Sequence, residues 1–309
     1  MSVEGLLLRA AQLSGAGAGA RALAQRLASV TVPGNARSCL DAGTPVQLTL
    51  DAPGSAQLRV GVRVGARLAD APLERLVPEA PLARLRALLQ PLEPGDHPSL
   101  GAWLFWTAQR QSIYVDLRDP DPRDALARLR SVLPESAALR LQQRALDPAV
   151  ARPWALRVDT DPTGSCRLHL HWLIDRHAEP RPVLESLRPG SWSVVRDTLG
   201  LLLRTPGRSG RFVVVTPLED DAGDALRVIN TGWTLVPEDD RKHRTVGAAF
   251  RSMGGARDHA EAIWSLCRGA AGPRWRVGRA SEVRVDERGA RLRLFLSPQV
   301  RERLPSSSC

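Results

Sequence analysis

The chain has 309 residues, 43% of them hydrophobic, and its 43 Lys and Arg outnumber 33 Asp and Glu to give a net charge of +10. No apolar run reaches the roughly 18 to 20 residues that a membrane span needs. Glu4 stands where a secretory signal peptide carries positive charge, so we expect a cytoplasmic protein that does not bind membranes.

Almost all of the positive charge is arginine, spread along every segment, and Lys242 is the only lysine. Aromatic residues make up 4% of the chain, and no stretch resembles a base-stacking motif or a helix-turn-helix. This pattern disfavours nucleic acid as a partner and favours a small anionic ligand such as a phosphate. The four cysteines lack CxxC spacing, which predicts free thiols.

Apolar residues at three- and four-residue spacing predict helices over 4–29, 70–90, 122–145, 180–203 and 239–271. Paired strand-like runs lie between the helices and are joined by Pro, Asp and Gly turn residues. The five predicted hairpins are 45–51 with 56–64, 101–108 with 111–117, 154–160 with 166–174, 211–217 with 224–231, and 281–285 with 290–297.

Polar and apolar residues alternate along these strands, with one face rich in arginine and the other almost entirely aliphatic. Such a sheet buries its apolar face under helices. Two architectures fit the pattern. One is an open sheet whose polar face meets solvent, and the other is a ten-stranded barrel that encloses a polar lumen and has no exposed edge strands.

The segment "CRLHLHW" places Arg167, His169 and His171 on one face of a strand. Two histidines at this spacing can ligate a metal, with Asp159 or His177 as a third ligand. The same three side chains can also line an anion-binding cavity, or belong to a solvated face. The segment alone leaves these alternatives open.

The order of hairpins and helices resembles the ααββ (ABBA) barrel of the aromatic prenyltransferases, and several motifs resemble its dimethylallyltryptophan synthase and cyanobactin prenyltransferase branch. The motifs cover nearly the whole chain and are "SCLDAGTPVQLTL", "QLRVGVRV", "QSIYVDL", "VDTDPTGSCRLHLHW", "DALRVIN" and "RLRLFLSP". The resemblance implies an α+β fold in which a ten-stranded antiparallel barrel is surrounded by helices. It further implies one domain over 1–309, with about 30 helical residues at the N-terminus and a disordered tail over 299–309.

Mapped residue by residue, the resemblance implies catalytic roles for Gln47 and Tyr114. It implies a diphosphate site made of Arg59, Arg167, His169, Arg227 and Arg293. It implies a shield around the prenyl cation and the acceptor made of Tyr114, His171, Phe295 and Trp103. The sequence departs from the family pattern most clearly at Gln47, where the family has a Glu that anchors the indole N–H or acts as base, and at His169 and His171, where it has Lys and Tyr.

The function that the resemblance implies is transfer of a dimethylallyl or similar group from a prenyl diphosphate to an indole, a phenol or a peptide side chain, by a monomer or homodimer. No DDxxD motif is present, so no cofactor is expected, and Mg²⁺ is possible but not required. Two alternatives stay open: a repurposed barrel that binds a hydrophobic or phosphorylated ligand, and a metal-dependent enzyme built on His169 and His171.

Overall fold

The computed structural model describes residues 2–13, 17–31, 46–52, 59–65, 102–106, 111–117, 122–160, 165–202, 211–218, 225–235, 247–255 and 277–298, together with residues 74, 82–83, 86–87, 261–262, 264–266 and 269. Helices with assigned bounds in these ranges are α1 (Val3–Leu13), α2 (Ala20–Ala28), α3 (Pro122–Val132), α4 (Glu135–Arg144), α5 (Pro180–Leu187) and α6 (Ser191–Leu202). None of the described helices is both long enough and apolar enough to cross a membrane.

The described residues include ten strands, and these fall in the five predicted hairpins. They are β1 (Val46–Ala52), β2 (Arg59–Gly65), β3 (Ala102–Trp106), β4 (Gln111–Asp116), β5 (Ala151–Thr160), β6 (Cys166–Ile174), β7 (Arg211–Pro217), β8 (Leu226–Leu235), β9 (Val277–Asp286) and β10 (Gly289–Pro298).

The sheet closes on itself. Each strand is antiparallel to its neighbours in the chain, and β1 pairs with β10, with Leu48 opposite Leu296 and Asp51 opposite Arg293. The closed barrel, rather than the open sheet, is therefore the architecture, and the predicted α+β barrel is confirmed. Closure removes both edge strands, which would otherwise expose unpaired backbone groups.

The barrel separates two environments. Outward-facing aliphatic residues such as Leu48, Val62 and Leu294 pack with helix residues such as Leu7 and Leu199 in one continuous hydrophobic core. Burial of this apolar surface holds the helices against the barrel. The alternate positions along each strand face inward, and these carry the polar side chains.

Three predicted helices are each divided in two. Residues 122–145 break at Pro134, which precedes α4 and cannot donate a helical hydrogen bond. Residues 180–203 break at Gly190, whose φ of 77° favours glycine. Residues 4–29 form α1 and α2, with a 3₁₀ turn at Gly17–Gly19 before α2.

Other boundaries also differ from the prediction. Strand β5 begins at Ala151 rather than at residue 154, with a bulge between Pro153 and Ala155 where proline supplies no N–H to the ladder. Strands β8 and β9 extend to Leu235 and back to Val277. Most of the helices predicted over 70–90 and 239–271, and the tail 299–309, lie outside the described residues.

Candidate functional site

Charged side chains meet across the middle of the barrel lumen. They lie on the inward faces of strands from opposite sides of the barrel, and antiparallel closure brings them together. The group consists of Asp51 on β1, Arg157 and Asp159 on β5, His169 and His171 on β6, Arg227 on β8, Glu282 on β9 and Arg293 on β10.

Glu282 lies at the centre of the larger of two ion-pair networks. Arg227 holds its carboxylate in a fork, with Nε–Oε1 and Nη2–Oε2 both 2.9 Å, and Arg293 Nη1 lies 3.8 Å from Oε1. Arg293 in turn holds the Asp51 carboxylate in a fork, with Nε–Oδ1 at 2.5 Å and Nη2–Oδ2 at 2.8 Å. Burial raises the pKa of Glu282, but Arg227 and Arg293 outweigh burial and leave that pKa below its usual range. The carboxylate is therefore ionised at neutral pH.

The second network joins β4, β5 and β6. Arg157 Nε lies 3.1 Å from Asp159 Oδ1, and Arg157 Nη1 donates to Tyr114 Oη at 3.4 Å. Asp159 Oδ2 lies 3.4 Å from His169 Nε2. Asp159 thus contacts an arginine through one carboxylate oxygen and a histidine through the other.

Both lumen histidines are neutral at physiological pH. Burial and the nearby charge of Arg157 lower the pKa of His169 to about 3, although Asp159 acts in the opposite direction. Burial, Arg157 and Arg227 also lower the pKa of His171. Within the described residues, neither His169 Nδ1 nor His171 Nε2 has a hydrogen-bond partner.

An aromatic wall lines one side of the same lumen. Trp103 stacks on Phe105 with ring centroids 5.8 Å apart, and Phe105 contacts Tyr114 at 4.9 Å. Tyr114 meets the edge of His171 at 5.4 Å. The Phe105 ring lies against Gly61 of β2, where a Cβ would overlap it. Glycine at this position therefore makes room for the wall.

The end of the lumen away from the hairpin turns is apolar. A buried cluster lines it, contributed by β5, β6, β7, β8 and β10: Trp154, Leu173, Val213, Val215, Ile229 and Phe295. The lumen therefore combines a charged middle, an aromatic side and an apolar end.

Several predicted site residues come together and others do not. Tyr114, His169, Arg227 and Arg293 meet in the charged middle. His171 and Trp103 belong to the aromatic side, and Phe295 belongs to the apolar end.

The remaining predicted residues lie apart or are only partly described. Gln47 is half-buried on the inward face of β1, opposite Gly61. Arg167 is exposed near the start of β6, opposite Asp159. Arg59 begins β2 opposite Thr49, and its side chain lies outside the described part of the chain.

Sequence reasoning missed Arg157 and Glu282 as site residues, and it considered Asp159 only as a possible third metal ligand. Each one follows the same two-residue alternation, in "WALRVDT" and "SEVRV", that marked the polar face of the second strand in each hairpin. Applying that alternation to the first strands of the third and fifth hairpins would have placed all three in the lumen.

The arrangement suits a ligand that is anionic at one end and apolar at the other. Guanidinium groups can share phosphate oxygens in a fork, and aromatic faces can stabilise a carbocation. For the alternative metal site, Asp159 does contact His169, but His177 pairs with Arg176 beyond the end of β6. Within the described ranges, no three His, Cys, Asp or Glu side chains are grouped to hold a metal.

Solved structures with the same architecture are aromatic prenyltransferases. The 6-dimethylallyltryptophan synthase from Micromonospora olivasterospora in complex with DMASPP and Trp superposes with a TM-score of 0.66 at 14% identity, covering 97% of this chain and 99% of that one. The 5-dimethylallyltryptophan synthase from Streptomyces coelicolor superposes with a TM-score of 0.68 at 14% identity, covering 96% of each chain. The prenyltransferase PriB with product diphosphate superposes with a TM-score of 0.67 at 18% identity, also covering 96% of each chain.

The class that these observations define is the ABBA barrel of the aromatic prenyltransferases, and the resemblance inferred from sequence motifs is confirmed for the fold. The chain is a divergent example of that fold, since its identity to these three structures lies between 14% and 18% over nearly full length. No family model matches the chain, and no curated protein matches it.

Proposed function

We propose that this protein is an aromatic prenyltransferase, which transfers a dimethylallyl or similar prenyl group from its diphosphate to an electron-rich aromatic acceptor. One observation carries the proposal: Arg157, Arg227 and Arg293 converge in a lumen that also holds the Trp103–Phe105–Tyr114 wall. Breaking the C1–O bond of a prenyl diphosphate needs stabilisation of both products, the pyrophosphate and the allylic cation.

The arginines suit the leaving group. A guanidinium stays protonated, and its planar fork matches phosphate oxygens. Three such groups from β5, β8 and β10 can surround a diphosphate from different directions and stabilise the negative charge that develops on it. Because they supply this charge, we propose that the reaction needs no metal ion.

The aromatic wall suits the cation and the acceptor. Aromatic faces attract a positive charge, and the low exposure of Trp103, Phe105 and Tyr114, between 0% and 6%, keeps water from quenching it. A flat acceptor such as an indole can stack on the same rings. PriB with product diphosphate and the synthase with DMASPP and Trp share this barrel, which supports a prenyl diphosphate donor and an aromatic acceptor here.

The test is direct. Purified protein is incubated with dimethylallyl diphosphate and L-tryptophan, a tryptophan-containing peptide or a phenol, with and without EDTA. Pyrophosphate release together with an acceptor that gains the mass of one prenyl group supports the proposal, and unchanged turnover in EDTA supports metal independence. No product with any donor and acceptor pair would contradict the proposal.

One observation favours a second candidate, a repurposed barrel that binds a ligand without reaction. Asp51, Asp159 and Glu282 already pair with the three arginines, and Gln47 stands where the related enzymes are expected to carry a proton-accepting Glu. For such a protein, pyrophosphate or an aromatic ligand would raise the melting temperature while no donor is turned over.

A further inference from the structure

We propose that Asp159 and His169 form the proton-accepting pair of this barrel, with His169 Nδ1 taking the proton that the aromatic acceptor loses and Asp159 holding the imidazole in place. This inference rests on the proposed function and assigns a step that Gln47 cannot perform. An amide side chain accepts a hydrogen bond but does not take a proton at physiological pH.

The geometry has the form of an oriented base. Asp159 Oδ2 lies 3.4 Å from His169 Nε2, and both side chains are buried on adjacent strands. A carboxylate beside Nε2 favours the tautomer that carries its proton there, which leaves the lone pair on Nδ1. That Nδ1 is buried and has no hydrogen-bond partner among the described residues. Activated catalytic sites typically contain a base whose side chain is oriented in this way by a second polar group.

The charges around His169 keep its imidazole unprotonated, which is the form that can accept a proton. Arg157 on β5 and Arg227 on β8 add to burial in lowering its pKa, and Asp159 on β5 opposes them. The histidine therefore stays unprotonated across the physiological pH range. A low pKa does not prevent the step, because the ring cation formed by prenylation is a far stronger acid than imidazolium.

Loss of a ring proton to His169 completes the transfer of the prenyl group. The donor C1–O bond breaks and its electron pair leaves on pyrophosphate, and C1 of the prenyl cation then accepts a π electron pair from the acceptor ring. The ring C–H bond next gives its electrons back to the aromatic system, and its proton moves to His169 Nδ1. The resulting imidazolium is stabilised by Asp159, and it returns its proton to the released pyrophosphate or to water.

The first test reads the tautomer and does not depend on turnover. Histidine-¹⁵N-labelled protein is observed by NMR at neutral pH, alone and with pyrophosphate, and His169 is assigned with the His169→Gln variant. We expect a neutral ring protonated on Nε2 in both states, and loss of that tautomer preference in Asp159→Asn. A ring protonated on Nδ1 in either state would overturn the assignment, because a histidine that donates to the diphosphate needs a proton there.

The second test separates a base from a diphosphate ligand. Tryptophan deuterated on the indole ring is compared with ordinary tryptophan. In the wild-type protein we expect a kinetic isotope effect close to unity. In His169→Gln we expect turnover lower by roughly 100-fold or more, with a clear isotope effect on kcat, because deprotonation becomes slow.

Asp159→Asn should show the same isotope effect with a smaller loss of rate. The matched control is His171→Gln, on the same face of β6 without the Asp159 contact, and it should slow turnover without an isotope effect. Wild-type protein that forms no product would overturn the proposed function and this inference together. An active wild type whose His169→Gln variant raises only the KM for the donor would overturn this inference alone.

Discussion

Inside the barrel, Arg227 and Glu282 form a two-bond ion pair, with Nε–Oε1 and Nη2–Oε2 both 2.9 Å. Arg227 belongs to the predicted diphosphate site. The Glu282 carboxylate therefore pairs with a guanidinium group that a prenyl diphosphate donor would also bind. A buried carboxylate and a diphosphate are alternative partners for the same guanidinium. This competition is open to experiment.

Replacing Glu282 with Gln should lower the stability of the ligand-free protein and increase the stabilisation that pyrophosphate gives. Breaking a buried ion pair leaves an uncompensated charge and typically costs about 3 to 5 kcal/mol. Pyrophosphate can then bind Arg227 without displacing a carboxylate from it. We expect a lower melting temperature for Glu282→Gln and a larger upward shift on adding pyrophosphate than in the wild-type protein.

Glu287→Gln is the matched control, because Glu287 is exposed in the turn between β9 and β10. It should behave as wild type in both measurements. Equal pyrophosphate shifts in wild type and Glu282→Gln would show that Glu282 does not compete with the donor.

The two lumen histidines should make the protein unstable in mild acid. The pKa of His169 is about 3 in the folded protein, whereas an unfolded chain has a histidine pKa near 6.5. The unfolded state therefore takes up protons that the folded state excludes, and the stability contributed by neutral His169 is complete above pH 6.5 and is lost as the pH falls from about 6.5 towards 3. His169 should therefore lower the free energy of unfolding by about 1.4 kcal/mol per pH unit in that range, and His171, whose pKa is also lowered by burial, should add to the loss.

Urea unfolding at about pH 7.5 and about pH 5.5 measures this loss. His169→Gln should show a smaller decrease than the wild-type protein but not lose it entirely, since His171 still contributes. His177→Gln, which changes an exposed histidine, should show the full decrease. A wild-type protein equally stable at both pH values would contradict the burial of neutral histidines in the lumen.

Much of the fold follows from sequence, and the pairing inside the site does not. Two-residue alternation is a local property, and it was sufficient to predict ten strands with one polar and one apolar face, but not whether the sheet closes. The Arg293–Asp51 ion pair joins residues 242 positions apart, and it exists because β1 and β10 close the barrel in one particular register. The neutral state of His169 likewise depends on burial and on charges from other strands, which no local pattern reveals.

Gly61 should tolerate no larger residue while Phe105 is present. A Cβ at position 61 would overlap the Phe105 ring, so Gly61→Ala must push the aromatic wall inward. Overpacking of this kind typically costs about 1 to 3 kcal/mol. Urea unfolding should show that loss in Gly61→Ala, and the same substitution should cost less in a Phe105→Leu background. Equal costs in the two backgrounds would mean that the contact does not restrict residue 61.

Glu185 should stabilise the start of α6. Its Oε2 accepts the Gly190 N–H at 2.7 Å and its Oε1 accepts the Trp192 N–H at 2.9 Å, so one carboxylate caps the turn between α5 and α6. Removing an N-terminal cap typically costs about 1 kcal/mol. Glu185→Ala should lose about that amount in thermal or urea unfolding. Glu179→Ala, at a helix start without a side-chain cap bond, should lose less, and equal losses would contradict the capping role.

Gln47→Glu tests whether β1 faces the acceptor. Gln47 is half-buried on the inward face of β1, where the resemblance implies a Glu that anchors the indole N–H. A carboxylate forms a stronger hydrogen bond to this N–H than an amide does, by roughly 1 kcal/mol, so the KM for tryptophan should fall about fivefold. Gln111→Glu makes the same change on the outward face of β4 and should leave the KM unchanged. A KM that is unaffected by Gln47→Glu, or lowered equally by Gln111→Glu, would show that residue 47 does not contact the indole.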